Sequence, residues 1–258
     1  MLEKFERIKL GHFPTPIEHL KNITKYLGGP NIFIKRDDCT GLATGGNKTR
    51  KLEFLIPDAI KNKAELVVTV GAVQSNHARQ TAAACSLMGL KCLILLEQRL
   101  KDPPEVYMNS GNVFLNKLFG ADIKICPRNE DFLKYTNNIL EDLKKQKIKV
   151  YFIPGGGSNQ IGALGYVECL NEIIKDNSKY NFSQIVHATG SSGTQAGLLA
   201  GRKYFNFNVP VTGICVRYEK KIQENRVYNE AKKTCETLKC NNLEKSDVIV
   251  YDDYIGKG

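Results

Sequence analysis

The sequence predicts an α/β protein with mostly parallel sheets. Short β-branched apolar runs alternate with longer helical patterns, and turns rich in Gly, Ser, Thr and Asn stand where a run gives way to a helix. In chain order, a strand at 31–35 (NIFIK) leads to a helix at 49–61, and a strand at 66–70 (LVVTV) to an alanine-rich helix at 76–87. A strand at 92–96 (CLILL) precedes a helix at 106–118, and one at 122–126 (DIKIC) precedes a helix at 131–146. The strands at 150–153 (VYFI), 185–188 (IVHA) and 211–216 (VTGICV) are followed by helices at 161–175, 194–204 and 223–238, before a last strand at 248–251 (VIVY). The strands have the length and residue types of buried strands. The polar stretches 98–104 and 176–180 read as surface loops.

Composition narrows the class. The 258 residues, 42% hydrophobic and 25% charged, describe a globular chain able to bury a core as one large domain or two small ones. A net charge of +10 raises the question of nucleic acid, but the lysines are spread along the chain without a basic tail or an aromatic-basic ribbon, so no nucleic-acid partner is expected. No apolar stretch approaches the roughly 20 residues of a membrane span, and the first residues lack the apolar segment of a secretory signal. Eight cysteines are scattered without a C-x-x-C pair, which argues against zinc or a disulfide scaffold and for a reducing, cytoplasmic setting; no metal site is expected.

Ligands of open α/β sheets collect where strands feed helix N-termini. The first such turn is Gly45-Gly46-Asn47-Lys48-Thr49-Arg50-Lys51. Asn47 reads as an N-cap, placing Lys48 in the first helical turn. There the positive helix end and the like charge of Lys51 are expected to lower its pKa, favouring the neutral amine that condenses with an aldehyde. In the second turn, Ser75 and Asn76 can cap the following helix while offering a hydroxyl and an amide to a ligand, and His77 has no partner at metal-ligand spacing. The third, Gly190-Ser191-Ser192-Gly193-Thr194, supplies backbone N–H groups and hydroxyls at a helix start, which suits a phosphate without a metal. A fourth stretch, Gly155-Gly156-Gly157-Ser158-Asn159, reads as a second anion pocket or a hinge. A P-loop reading of Gly41 to Thr49 fails because Asn47 separates glycine and lysine by one residue too many.

The segments GGNKTRKLEF (45–54), QSNHARQTAA (74–83), GGSNQIGALGYVE (156–168) and the loop from Gly190 resemble the D-cysteine desulfhydrase and 1-aminocyclopropane-1-carboxylate deaminase family of tryptophan-synthase-β-like, fold type II pyridoxal phosphate enzymes. The likeness runs from about Phe5 to Asp253. It implies two three-layer α/β domains with pyridoxal 5'-phosphate between them: a smaller one of residues 52–166, and a larger one of 1–51 with 167–258. It implies Lys48 as the Schiff-base lysine and a candidate base, and Lys51 beside the phosphate. Asn76 would face the cofactor's ring oxygen, and Ser75 would lie near the substrate carboxylate with a share in proton transfer. Gly190, Ser191, Ser192, Gly193 and Thr194 would form the phosphate loop, and His77, beside Ser75 and Asn76 at the substrate, favours the desulfhydrase branch. The implied reaction is α,β-elimination of a small amino acid, D-cysteine, to pyruvate, hydrogen sulfide and ammonia by a cytoplasmic homodimer; 1-aminocyclopropane-1-carboxylate deamination is the alternative. Relatives of the family continue past the Tyr254 to Gly258 segment with residues that face the pyridine nitrogen and the substrate. A chain lacking that segment is expected to be poorly stable or weakly active, or to bind cofactor without turnover.

Overall fold

The computed structural model describes residues 2–240 and 242–256; Lys257 and Gly258, at the end of the segment just mentioned, lie outside them. A strand β1 (Ile17–His19), a short helix α1 (Lys21–Leu27) and a strand β2 (Phe33–Lys35) open the chain, with β1 and β2 paired antiparallel. There follow α2 (Thr49–Lys61), β3 (Leu66–Ala72), α3 (Asn76–Leu87), β4 (Cys92–Glu97), α4 (Glu105–Asn109), α5 (Gly111–Leu118), β5 (Asp122–Cys126), α6 (Phe132–Lys145) and β6 (Val150–Ile153). The chain continues through α7 (Gln160–Tyr180), β7 (Ile185–Thr189), α8 (Gly193–Phe205), β8 (Val211–Cys215), α9 (Lys220–Leu238) and β9 (Ile249–Tyr251).

The two larger sheets are parallel throughout, in the orders β5-β4-β3-β6 and β7-β8-β9. Strand β4 is apolar at five successive positions because helices cover both faces of a parallel sheet, so neither face needs polar residues. Around the first sheet, Leu52, Leu55 and Ile56 of α2 pack with Val67, Ile94 and Leu96. Around the second, Leu170 and Ile173 of α7 pack with Leu199, Val211 and Val227.

Three departures from the sequence expectations have local causes. The strand β1 and helix α1 escape the periodicity argument because neither buries a residue. The stretch 176–180 is helical rather than a loop: α7 runs to Tyr180 and stops at Asn181, whose left-handed φ of 50° is one asparagine tolerates. The helix expected at 106–118 is broken at Ser110, where Gly111 takes φ +57° and opens α5. That break serves the site described next.

Candidate functional site

The C-terminal ends of β3, β6 and β7 bring three of the loops together around a cleft of about 940 Å³ whose walls include Lys48, Ser75, Asn76, Gly156, Ser158 and Ser191. The Gly45–Gly46 turn presents the lysine. Both glycines have positive φ, 82° and 131°, and a Cβ on Gly45 would collide with the Asp38 carbonyl, so only glycine fits. The turn is tied to α3: Arg79 donates to the Gly45 carbonyl at 2.7 Å, and Gln80 donates to that of Gly46 at 2.9 Å while accepting from the Lys48 amide.

Asn47 does not cap the helix. Lys48 itself is the N-cap residue, with helical backbone angles and no side-chain cap, and the Asn47 amide oxygen instead accepts from Lys48 Nζ at 2.9 Å. The Lys48 amine is lowered to about 8, and the cause is burial rather than the neighbouring charge or the helix end. The repulsion is felt on the other partner: burial and then the charge of Lys48 push fully buried Lys51 well below the ordinary lysine value.

Ser75 caps α3 by accepting from the Ala78 amide at 3.2 Å. The Asn76 Oδ1 accepts from Arg79 at 3.0 Å and from Asn112 Nδ2 at 2.9 Å. Those bonds fix the amide's orientation and leave its NH₂ as the group available to a ligand acceptor. Asn112 in turn is held by Gln74, which accepts from its amide N–H at 2.8 Å, and by the Gln74 carbonyl, which accepts from its side chain at 2.8 Å. The helix break at Ser110 therefore sets Asn112 against Asn76, and a Cβ on Gly111 would meet Gln74 Oε1 at 2.7 Å. Buried His77 lies 2.8 Å from Thr69 Oγ1 through Nε2; burial, then the charges of Lys48 and Lys51, hold it well below 6.5, so it is a neutral imidazole.

The loop Gly190 to Thr194 and the Gly155 to Asn159 stretch form one site, not two. Ser158 Oγ donates to Ser191 Oγ at 3.0 Å and accepts from the Gly193 amide at 3.1 Å, at the first residue of α8. Lys51 Nζ donates to the Gly156 carbonyl at 2.9 Å and to Ser158 Oγ at 3.3 Å. Ser192 precedes α8 at φ +72°, a strained conformation for serine that turns the backbone toward the helix start.

The fit to pyridoxal phosphate rests on space and donor chemistry. A Cβ on Gly156 would strike Ser191 Oγ and lie 3.5 Å from Lys48 Cε, and one on Gly193 would lie 3.0 Å from Lys51 Nζ, so glycine keeps open the space between the amine and the loop. An amine of lowered pKa, an amide NH₂, and serine hydroxyls with a lysine at a helix N-terminus match an aldehyde, a ring oxygen and a phosphate. Among the described residues no cluster of His, Cys, Asp or Glu could hold a metal ion. Of the expected site residues, Lys48, Ser75, Asn76, His77, Gly190, Ser191 and Ser192 all line the cleft. Lys51 and Gly193 lie immediately behind, bonded to Ser158. Thr194 lines a second cavity, of about 540 Å³, that shares Lys48 and Gly190 to Ser192 with the cleft. Sequence reasoning did not single out Asn112 or Ser158 for these positions, nor Arg217, Tyr218, Arg226 and Glu230, which wall the cleft. Only Ser158 carried a signal, its place in a glycine-rich turn.

The chain is similar to known proteins. Residues 8–258 match the family model described as pyridoxal-phosphate dependent enzyme. A D-cysteine desulfhydrase of Serratia proteamaculans is 40% identical over 255 residues, covering 98% of this chain and 76% of that protein. The crystal structure of an ACC deaminase homologue superposes with a TM-score of 0.86 at 38% identity, over 97% of this chain and 75% of that one. A hydrogen sulfide-producing enzyme of Fusobacterium nucleatum, 20% identical with a TM-score of 0.59 over 80% of this chain and 63% of that one, shares the fold. With Lys48, Asn76 and the Ser158–Ser191 pair lining one cleft, the chain belongs to the pyridoxal-phosphate dependent enzymes, with the α/β architecture of fold type II.

Proposed function

We propose that the protein is a D-cysteine desulfhydrase-like lyase, converting D-cysteine and water to pyruvate, hydrogen sulfide and ammonia. The observation that carries the reading is the Lys48 amine, lowered to about 8, in a cleft shared with the Asn76 amide and the Ser158–Ser191 cradle. The 40% identity to a protein named D-cysteine desulfhydrase supports the substrate.

Pyridoxal phosphate, when bound, supplies an electron sink for the charge left on the substrate Cα. Lys48 Nζ would hold the cofactor's aldehyde and, once displaced by the substrate amine, take the Cα proton, a role open to a neutral amine. Asn47 Oδ1, 2.9 Å from Nζ, steadies that amine. Asn76 would donate to the ring oxygen through the NH₂ that Arg79 and Asn112 leave free. Gly190, Ser191, Ser192, Gly193 and Thr194, with Lys51 and Ser158 behind them, would hold the phosphate. Ser75 would stand near the substrate carboxylate and share in proton transfer. Neutral His77 would contribute shape and a hydrogen bond to the substrate, not a charge.

The proposal includes the division into a smaller domain of 52–166 and a larger one of 1–51 with 167–258; helices α2 and α7 pack together across it, Gly165 lying against the Arg50 carbonyl. It also includes a cytoplasmic homodimer, supported by family resemblance and by eight free cysteines, which persist in a reducing compartment. Sedimentation of the holoenzyme at twice the chain mass checks the dimer.

Purified protein given pyridoxal phosphate should develop a visible absorbance band that Lys48→Ala abolishes, and should release sulfide and pyruvate from D-cysteine. Protein that takes up no cofactor sinks the reading. The similarity to the ACC deaminase homologue favours one alternative, 1-aminocyclopropane-1-carboxylate deamination, which predicts ammonia from that substrate and no sulfide from D-cysteine. A band without product from either substrate marks a cofactor-binding homologue without turnover.

A further inference from the structure

Part of the cleft wall is made by the segment after β8 and the first turns of α9. There Arg217 and Arg226 both lie against one ring: their guanidinium carbons are 5.0 and 4.6 Å from the centroid of Tyr218, and all three residues line the cleft. Among the described residues neither arginine forms an ion pair. The contrast with the other arginine on the cleft wall is informative. Arg99 is neutralised by Glu97 at 2.6 Å, so its charge is spent on the protein. Glu230 stands on the same wall one turn beyond Arg226 and pairs with neither guanidinium. Two cations packed against one aromatic ring in a concave site, with Glu230 near enough to feel the charge of Arg226 but not paired to it, make a receptor for a carboxylate.

We infer that Arg217 and Arg226 are specificity-determining residues that capture the α-carboxylate of the incoming amino acid at the mouth of the cleft, with Tyr218 as the positioning residue that holds the two guanidiniums together. This rests on the amino-acid lyase reading. Ser75 lines the same cleft, so the bound carboxylate would meet the two guanidiniums and the Ser75 hydroxyl together.

The test compares holoenzyme with Arg217→Gln/Arg226→Gln, Tyr218→Phe and Tyr218→Ala. With D-cysteine, the double variant should raise KM about tenfold, an effect confined to KM and shrinking at high salt. Tyr218→Phe should match the parent because it keeps the ring, and Tyr218→Ala should fall between. D-Cysteine methyl ester, lacking the carboxylate, should not distinguish parent from double variant. Binding of D-alanine, which has no leaving group, is read from the visible band and should weaken by the same factor. Equal KM and equal D-alanine affinity in parent and double variant would overturn the inference while leaving the lyase reading intact. A weaker affinity for pyridoxal phosphate with unchanged KM also overturns it, assigning the rim to the cofactor phosphate. Arginine-dependent D-alanine binding without sulfide release upholds the rim and sinks the D-cysteine assignment.

Discussion

Lys48 shows how little of a functional pKa is local. Its position before a helix and three residues from Lys51 suggested a dipole and a like charge as the causes of a lowered value, yet burial of the amine lowers it to about 8. The like charge acts on Lys51, which has no solvent to share it with. Only the neutral amine attacks an aldehyde, so the rate at which apoprotein combines with pyridoxal phosphate should rise through about pH 8 and level off above it. Stopped-flow absorbance from about pH 6 to about pH 12 measures this, a range that flanks both the ordinary and the shifted lysine values. A midpoint at the ordinary lysine value, about 10.4, would show that the packing does not desolvate Nζ.

At the scale of elements, the interruption between α4 and α5 matters more to the site than the helices it separates. Continuous helix through Ser110 would carry Asn112 away from Gln74 and Asn76; the positive φ of Gly111 turns it back. Asn112→Ala removes a donor to Asn76 and an acceptor for Arg79, leaving Arg79 alone to orient the Asn76 amide. The expected cost is about 1 kcal/mol, or roughly fivefold in affinity for pyridoxal phosphate. Spectrophotometric titration measures it, with an unchanged circular dichroism spectrum showing that the fold is kept. This contact was illegible in the sequence because a Ser-Gly pair inside an otherwise helical pattern is tolerated by helices as often as it breaks them. The opposite holds for the Gly45–Gly46 turn, where two adjacent glycines before a helix advertise positive φ and a close approach.

Across the whole molecule, a buried ionic cluster ties the N-terminal segment to α2 and α7. Arg50 bonds Asp37 and Glu172 at 2.8 and 2.9 Å, Lys35 pairs with Glu172 at 2.7 Å, and Tyr166 donates to Asp37 at 2.9 Å. Burial works against the Glu172 carboxylate, but the hydrogen bonds and charges of Arg50 and Lys35 outweigh it and lower the pKa. A carboxyl lowered on folding stabilises the protein above its unfolded value, about 4.3, and that contribution is lost as pH falls below it. Glu172→Gln should therefore lower the melting temperature at pH 7, and the gap to the parent should close below about pH 4, as differential scanning calorimetry would show. Arg50→Met, which leaves Asp37 without its guanidinium and Glu172 with Lys35 as its one cation, should cost about 3 kcal/mol.

The sequence by itself determined the alternation of strands and helices, the parallel sheets, the turns that carry Lys48, Ser75, Asn76 and the Gly190 loop, and through resemblance the family. These are short-range properties: side-chain shape sets the period, and glycine, serine and asparagine mark the turns. Only the tertiary structure decided that the Gly155–Asn159 stretch joins the Gly190 loop through Ser158, that Asn112 orients Asn76, and that two unpaired arginines share Tyr218 at the cleft mouth. Ser158 and Ser191 lie 33 positions apart and Asn76 and Asn112 lie 36 apart, and crossover connections of parallel sheets bring them together. Periodicity carries no information over such distances, because what sets them is the packing of whole helices on sheets rather than the conformation of any one segment.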